Sequence, residues 1–264
     1  MQRVGTQAWV IEEWLRWLSG GDPSPGTIGL RRSQLIRLAL HVDLLEAEEE
    51  DLTAWLAQPT WARETRRSAR AGIRSFYRWA HSKDLVDEDP ALDLRPIRPG
   101  SPRPRPYPEK LLAESLLRAD RERELMLLLG AYAGLRRAEI ARVHSDDVEG
   151  DVLVVFGKGA KYRRIPIHDR LAPHLRQIRG WAFPSPRRGG EHVVETYVRD
   201  RLGSVMADGW TPHTLRHRFA TQTYKVRRDL VVVQRLLGHA RIETTRLYVL
   251  VDDQDLIDAV RAVA

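Results

Sequence analysis

The chain has 264 residues, 43 Lys+Arg against 36 Asp+Glu for a net charge of +7, and no cysteine. That length is enough for two domains with separate cores, and the lack of cysteine excludes a disulfide framework or a thiolate metal site, as suits an intracellular protein. No apolar run approaches the ~18 residues that span a bilayer, and Met1-Gln2-Arg3-Val4 begins no apolar signal core, so a soluble, cytoplasmic protein with no membrane association is expected.

Residues 1–94 read as helix throughout. Trp9, Trp14 and Trp17 at helical spacing open the chain as core aromatics, Gly20-Gly21-Asp22-Pro23 stops that helix, and Thr27 is the expected cap of the next. The acidic run Glu46 to Asp51 is a solvated face or a helix start. In the following helix Arg63, Arg66, Arg67, Arg70, Arg74 and Arg78 fall within about 120° of one another, with Ala69, Ile73, Phe76 and Ala80 gathered on another side. Only Glu64 offers an acidic partner along the stripe, where a merely solvated face mixes in several, so the stripe is read as facing a polyanion.

Prolines at 96, 99, 102, 104, 106 and 108, interleaved with Arg95, Arg98, Arg103 and Arg105, cannot form a helix. They predict a semi-rigid linker over 95–108, either a solvated tether or a basic strap along phosphates. Charge divides at about the same place. Residues 1–100 carry 14 basic and 15 acidic groups, and the rest 29 and 21, so the basic excess lies after the linker. Almost all of it is arginine, whose planar fork matches phosphate oxygens.

From residue 109 onward a helix is expected after Pro108-Glu109-Lys110, then an apolar helix over 123–132 ending near Gly134, and a helix from Arg137 to Val143. Two strand-like runs, 151–156 and 162–167, flank the Gly157-Lys158-Gly159-Ala160-Lys161 turn and predict a hairpin. Helices follow from Val193, broken at Gly209, Pro212 and Gly238, and Leu256, Ile257, Val260 and Val263 predict a short amphipathic helix at the C-terminus.

Five short motifs lie in this half: Gly134-Leu135-Arg136, Gly157-Lys158-Gly159, His213-Thr214-Leu215-Arg216-His217, Leu237-Gly238-His239 and Thr244-Thr245-Arg246-Leu247-Tyr248. Each alone is common, but together, in this order, the chain resembles the tyrosine recombinases and phage integrases. The resemblance implies a mainly α two-domain architecture with a small β-hairpin or sheet in the catalytic domain. A helical core-type DNA-binding domain would occupy 1–94 and a catalytic domain 109–264, with a tail over 249–264 that docks on a neighbouring or its own catalytic domain. The resemblance implies the layout of the compact Xer and Cre type, in which no arm-binding domain is expected.

The resemblance also assigns roles. Tyr248 is the nucleophile, attacking a DNA phosphodiester to form a 3′-phosphotyrosyl intermediate that stores the bond's free energy, so religation needs no ATP. Arg136 and Arg216 clamp the non-bridging oxygens, where negative charge builds in the transition state. Glu139, one helical turn from Arg136, is read as orienting the clamp. His213 accepts the tyrosine proton or donates to the phosphate, and His239 donates to a non-bridging oxygen. Lys158 is the expected general acid for the 5′-oxygen, with Lys161 as its competitor or a phosphate contact. His217 is read as structural on a different face. No histidine or carboxylate spacing suits a metal, so metal-free, cofactor-free chemistry is expected. The reading is therefore a site-specific recombinase, with double-stranded DNA as partner. It is expected to be a monomer or weak oligomer when free and a homotetramer on DNA, passing through a Holliday junction. A type IB topoisomerase or an inactive DNA-binding regulator is the alternative.

Overall fold

The computed structural model describes residues 2–100, 104–157, 162–239, 244–245, 247–250 and 261, with side chains for all of these except 2–6 and 188. The chain separates into two compact units, Met1–Ser101 and Pro102–Ala264.

In the N-terminal unit, helices α1 (Gln2–Ser19), α2 (Pro25–Ala39), α3 (Glu49–Leu56) and α4 (Arg63–His81) enclose a core that includes Trp14, Leu35, Leu52, Ile73 and Phe76. Trp14 and Phe76 meet edge to face with ring centres 5.7 Å apart, the arrangement that the ring quadrupoles favour. Of the first three tryptophans only Trp14 is core. Trp9 and Trp17 are 49% and 51% exposed, because the buried arc of α1 runs through Val10, Ile11, Trp14 and Leu15. The cap of α2 is Ser24 and not Thr27: the Ser24 hydroxyl accepts the Thr27 N–H, and Pro25, which lacks an N–H to satisfy, takes the first turn. The acidic run is a helix start, with the Asp51 carboxylate accepting the Glu48 N–H at 3.1 Å.

The linker ends are not free on either side. Arg70 donates to the Leu94 carbonyl, and the Gly100 N–H donates to Glu64 at 3.0 Å. Past the division, Arg105 donates to the Gly209 carbonyl at 3.0 Å and lies 4.2 Å over the Trp210 ring, and the Tyr107 N–H donates to the Thr214 carbonyl. Arg103 lies outside the described residues.

The C-terminal unit contains α5 (Glu109–Arg118), α6 (Arg121–Tyr132), α7 (Arg137–Ile140), β1 (Val148–Glu149), β2 (Val152–Phe156), β3 (Tyr162–Pro166), α8 (Ala172–Leu175), α9 (Glu195–Gly203), α10 (Pro212–Arg227) and α11 (Leu230–Leu237). Helix α6 is buried from Leu125 to Ala131 and is the axis of the unit. Helix α10 crosses it at Gly130, where a Cβ would stand 2.9 Å from Leu215 Cδ1. The strands form an antiparallel sheet in the order β1-β2-β3, pairing Leu153 with Ile165 and Val155 with Arg163. Strand alternation turns Ile165 inward and, two positions earlier, Arg163 as well.

The fold is thus mainly α with a small sheet. Three local details differ from expectation. Strand β1 extends the hairpin into a three-stranded sheet. Helix α7 stops at Ile140 because the backbone beyond it pairs with a distant segment, Ala182 N–H donating to Val143 O and His144 bridging to Trp181. Helices α10 and α11 are separated at Arg228, which takes a left-handed φ of 53°, and Asp229 caps α11 by accepting the Val231 N–H at 2.7 Å. Most of the expected C-terminal helix, including Leu256, Ile257, Val260 and Val263, lies outside the described residues. No helix among the described residues is long and apolar enough to cross a membrane.

Candidate active site

Residues from four separate segments meet in the C-terminal unit. Gly134, with φ 63°, turns the chain out of α6 so that Arg136 sits at the head of α7. Glu139, on α7, accepts from Arg136 twice: the backbone N–H reaches Oε2 at 2.8 Å and the guanidinium reaches Oε1 at 2.8 Å. From β3, Arg163 donates to the same two oxygens at 2.9 and 2.7 Å. Burial alone would raise the Glu139 carboxyl. The hydrogen bonds and charge of Arg163, with the Arg136 N–H and the charge of Arg216, bring it down to about 2.

Arg216, on α10, is 0% exposed. It donates to the carbonyls of Gly134 and Leu237 and to Nε2 of His239 at 3.1 Å. Burial, then the charge of Arg136, lowers its pKa to about 9, with Glu139 opposing, so it remains a cation at neutral pH. Because guanidinium only donates, His239 Nε2 is the acceptor, and Nδ1 carries the proton toward Thr245 Oγ1, 3.1 Å away. Burial and the neighbouring Arg216, Arg136 and Arg163 lower His239 to about 3, so it is neutral at pH 7. Gly238 ends α11 at φ 66°, and a Cβ there would lie 2.9 Å from Arg163 Cδ.

Tyr248 closes the group. Its ring centre is 5.2 Å from that of His213, 4.8 Å from that of His239 and 5.7 Å from the Arg216 guanidinium carbon. Its carbonyl accepts from the Thr221 hydroxyl, which fixes the backbone against α10. His213 is exposed, and burial of its ring's surroundings followed by the charges of Arg216, Arg136 and Arg137 lowers its pKa. Five of the six expected catalytic residues, Arg136, His213, Arg216, His239 and Tyr248, therefore surround one point. Lys158 and Lys161 lie outside the described residues. On the strands that flank this stretch in sequence, the exposed rings of Phe156 and Tyr162 meet edge to face 4.3 Å apart. Among the described residues no group of three or more His, Asp or Glu side chains gathers as a metal site.

Residues 109–255 match the sequence model of the phage integrase family. The chain belongs to the phage integrase family. Within it, this integrase is 36% identical over 227 residues to the tyrosine recombinase XerD of Pseudomonas aeruginosa, covering 75% of this chain and 74% of that protein. It is 30% identical over 261 residues to the tyrosine recombinase XerA of Thermococcus kodakarensis, covering 90% and 89%. Its class is that of the site-specific tyrosine recombinases. Its fold is shared with a lambda integrase tetramer bound to a Holliday junction, with a TM-score of 0.71 at 16% identity over 89% of this chain and 77% of that one.

Two features of the integrase site are not anticipated by the motifs. Arg163 belongs to none of them, and its inward register in β3 is the one sequence signal that points to it. His217, expected on another face, instead stacks on Tyr248, with ring centres 4.5 Å apart and planes 19° from parallel. Burial, followed by His213 and Arg216, lowers it to about 4, so the stacked ring is neutral. The arginine stripe of α4 is less uniform than its periodicity implies. Arg63, Arg67 and Arg78 are exposed and Arg66 and Arg74 half-buried, but Arg67 pairs with Glu64 at 2.8 Å and Arg70 is committed to the Leu94 carbonyl.

Proposed function

We propose that this integrase cleaves and rejoins double-stranded DNA at Tyr248. The phenol oxygen attacks a backbone phosphorus, the bond to the 5′-oxygen breaks, and a 3′-phosphotyrosyl link and a free 5′-hydroxyl result; reversal by a 5′-hydroxyl from another strand completes exchange. The observation that carries this reading is the enclosure of the Tyr248 ring by His213, His239 and the Arg216 guanidinium, at 5.2, 4.8 and 5.7 Å from its centre.

Neutral His213 takes the phenol proton, and Arg136 and Arg216 neutralise charge on the phosphorane oxygens, with Glu139 holding Arg136 in register. Lys158 protonates the departing 5′-oxygen. Because Arg216 is fully buried with its two terminal nitrogens bonded to Gly134 O, Leu237 O and His239, phosphate entry moves the Tyr248 ring aside and exchanges the His239 contact for an oxygen. The helical unit formed by residues 1–94 grips the flanking duplex, using the outward arginines of α4, and 109–264 carries the chemistry. Strand exchange then takes a homotetramer that holds two duplexes through a Holliday junction, as in the lambda integrase assembly.

A nicked suicide substrate tests this. Wild-type protein should form an SDS-stable adduct that maps to Tyr248, and Tyr248→Phe should bind the half-site but form none. An adduct surviving in Tyr248→Phe overturns the assignment. Resolution of a synthetic Holliday junction by wild type distinguishes recombinase action from nicking and closing by a topoisomerase.

A further inference from the structure

Arg163 lies outside the residues that surround Tyr248, yet among the described residues its side-chain hydrogen bonds go to Glu139, the carboxylate that holds Arg136. Its guanidinium takes one lone pair from each Glu139 oxygen, leaving on each oxygen one that Arg136 occupies, by guanidinium at Oε1 and by backbone N–H at Oε2. The carboxylate is thus fixed in plane and in rotation by a two-pronged partner. Among the described residues, Arg136, whose own side chain is 38% exposed, has its guanidinium fixed only through that carboxylate. The Arg163 stem is itself locked: its Cδ fills the space under Gly238 that a Cβ would claim, against the turn that carries His239. It also lies on the strand leaving the hairpin turn, five residues after Lys158.

Stability alone does not account for an arginine here. A buried ion pair is commonly matched or bettered by apolar residues of similar volume, and Arg163 Nε is buried with no hydrogen-bond partner among the described residues. A strand position between Leu153, Val155 and Ile165 would ordinarily take Val or Ile.

We infer that Arg163 is a positioning residue for strand cleavage: acting through Glu139, it sets the orientation in which the Arg136 guanidinium meets the scissile phosphate. This rests on the cleavage reading above. The charged and titratable groups acting on Glu139 are Arg136 from its own segment, Arg163 from β3, Arg216 from α10 and His239 after α11, and Arg142, His144, Asp146 and Asp147 line the same cleft. Among them Arg163 is the partner whose loss leaves the carboxylate both rotatable and easier to protonate.

The test is single-turnover adduct formation on a nicked half-site, across a pH range of about 4.5 to 8.5 over which wild-type Glu139, at about 2, stays ionised, for wild type, Arg163→Met, Arg163→Lys, Glu139→Gln and the Arg163→Met/Glu139→Gln double variant. Arg163→Met should bind the half-site nearly as wild type but form adduct about 30-fold more slowly, in the range for loss of a group that orients an active-site ligand. Its acid limb should lie above that of the wild type, because burial raises the Glu139 carboxyl once the partner that holds it ionised is lost. Arg163→Lys keeps the charge without the two-pronged geometry. It should also be slow, with a smaller displacement of the acid limb, and it decides the matter if Arg163→Met does not fold. The double variant should be no slower than Glu139→Gln by more than about threefold, since residues acting in series are not additive. Wild-type rates in either Arg163 variant, or losses that multiply in the double variant, overturn the inference. Absence of adduct in the wild type would instead reject the cleavage reading on which it rests.

Discussion

Substituting Gly134 by alanine bears on both the fold and the site. Its φ is 63°, where an L-residue pays about 1 kcal/mol. The new Cβ would stand 3.0 Å from Phe219 Cγ and Cε1 and closer still to Cδ1, and relieving such overpacking typically costs about 1–3 kcal/mol. The sum is about 2–4 kcal/mol, a large share of the roughly 5–15 kcal/mol that holds a domain folded. Gly150→Ala is the control. Its φ is 60° with nothing within 4 Å of an added Cβ, so only the backbone part of about 1 kcal/mol applies. Hydrogen exchange read on the α6 and α10 amides measures the opening free energy of the C-terminal unit directly. Because the Gly134 carbonyl also receives Arg216, the same variant should form adduct more slowly at equal occupancy. A change below about 1 kcal/mol in Gly134→Ala, or one equal to that of Gly150→Ala, refutes the assignment of the cost to Phe219.

Three further outcomes follow from the charges. His217 and His239 have pKa values of about 4 and 3 against an unfolded value near 6.5, so the unfolded state binds more protons as the medium turns acid. The stability they contribute is complete above about pH 6.5 and is lost as pH falls toward about 3, with Glu139 adding loss between about 4.5 and 2. Hydrogen exchange of α10 at about pH 7.5 and about pH 5.5, corrected for intrinsic rates, should show the decline, and a flat profile would contradict it. In the N-terminal unit, Arg74→Ala with Arg78→Ala should flatten the slope of log K against log[salt] for DNA by up to about 0.9 for each phosphate no longer neutralised. Arg70→Ala should instead destabilise the unit by about 1–3 kcal/mol through the orphaned Leu94 carbonyl; an unchanged salt slope in the first variant would return that helix face to solvent.

What could be read from the sequence alone is what local chemistry dictates. Apolar periodicity marked α1, α4 and α6, the Gly157 turn marked the hairpin, Gly134 and Gly238 marked chain reversals, and the five motifs carried the family. Each depends on residues within a few positions of one another. The tertiary structure decided matters in which the partners are far apart in the chain. Arg163 and Glu139 are 24 positions apart, and Arg216 meets Gly134 across 82 and His239 across 23. His217 stacks on Tyr248 because the segment after α11 returns over α10, which no wheel projection of α10 contains. The same holds where periodicity misled. Trp9 and Trp17 share helical spacing with Trp14 but fall outside the arc that α2 and α4 cover, and Arg70 lies in a basic stripe yet serves a backbone carbonyl. Spacing states which side of an element a residue occupies; only packing states what stands opposite, and burial, charge and proton affinity follow from that neighbour.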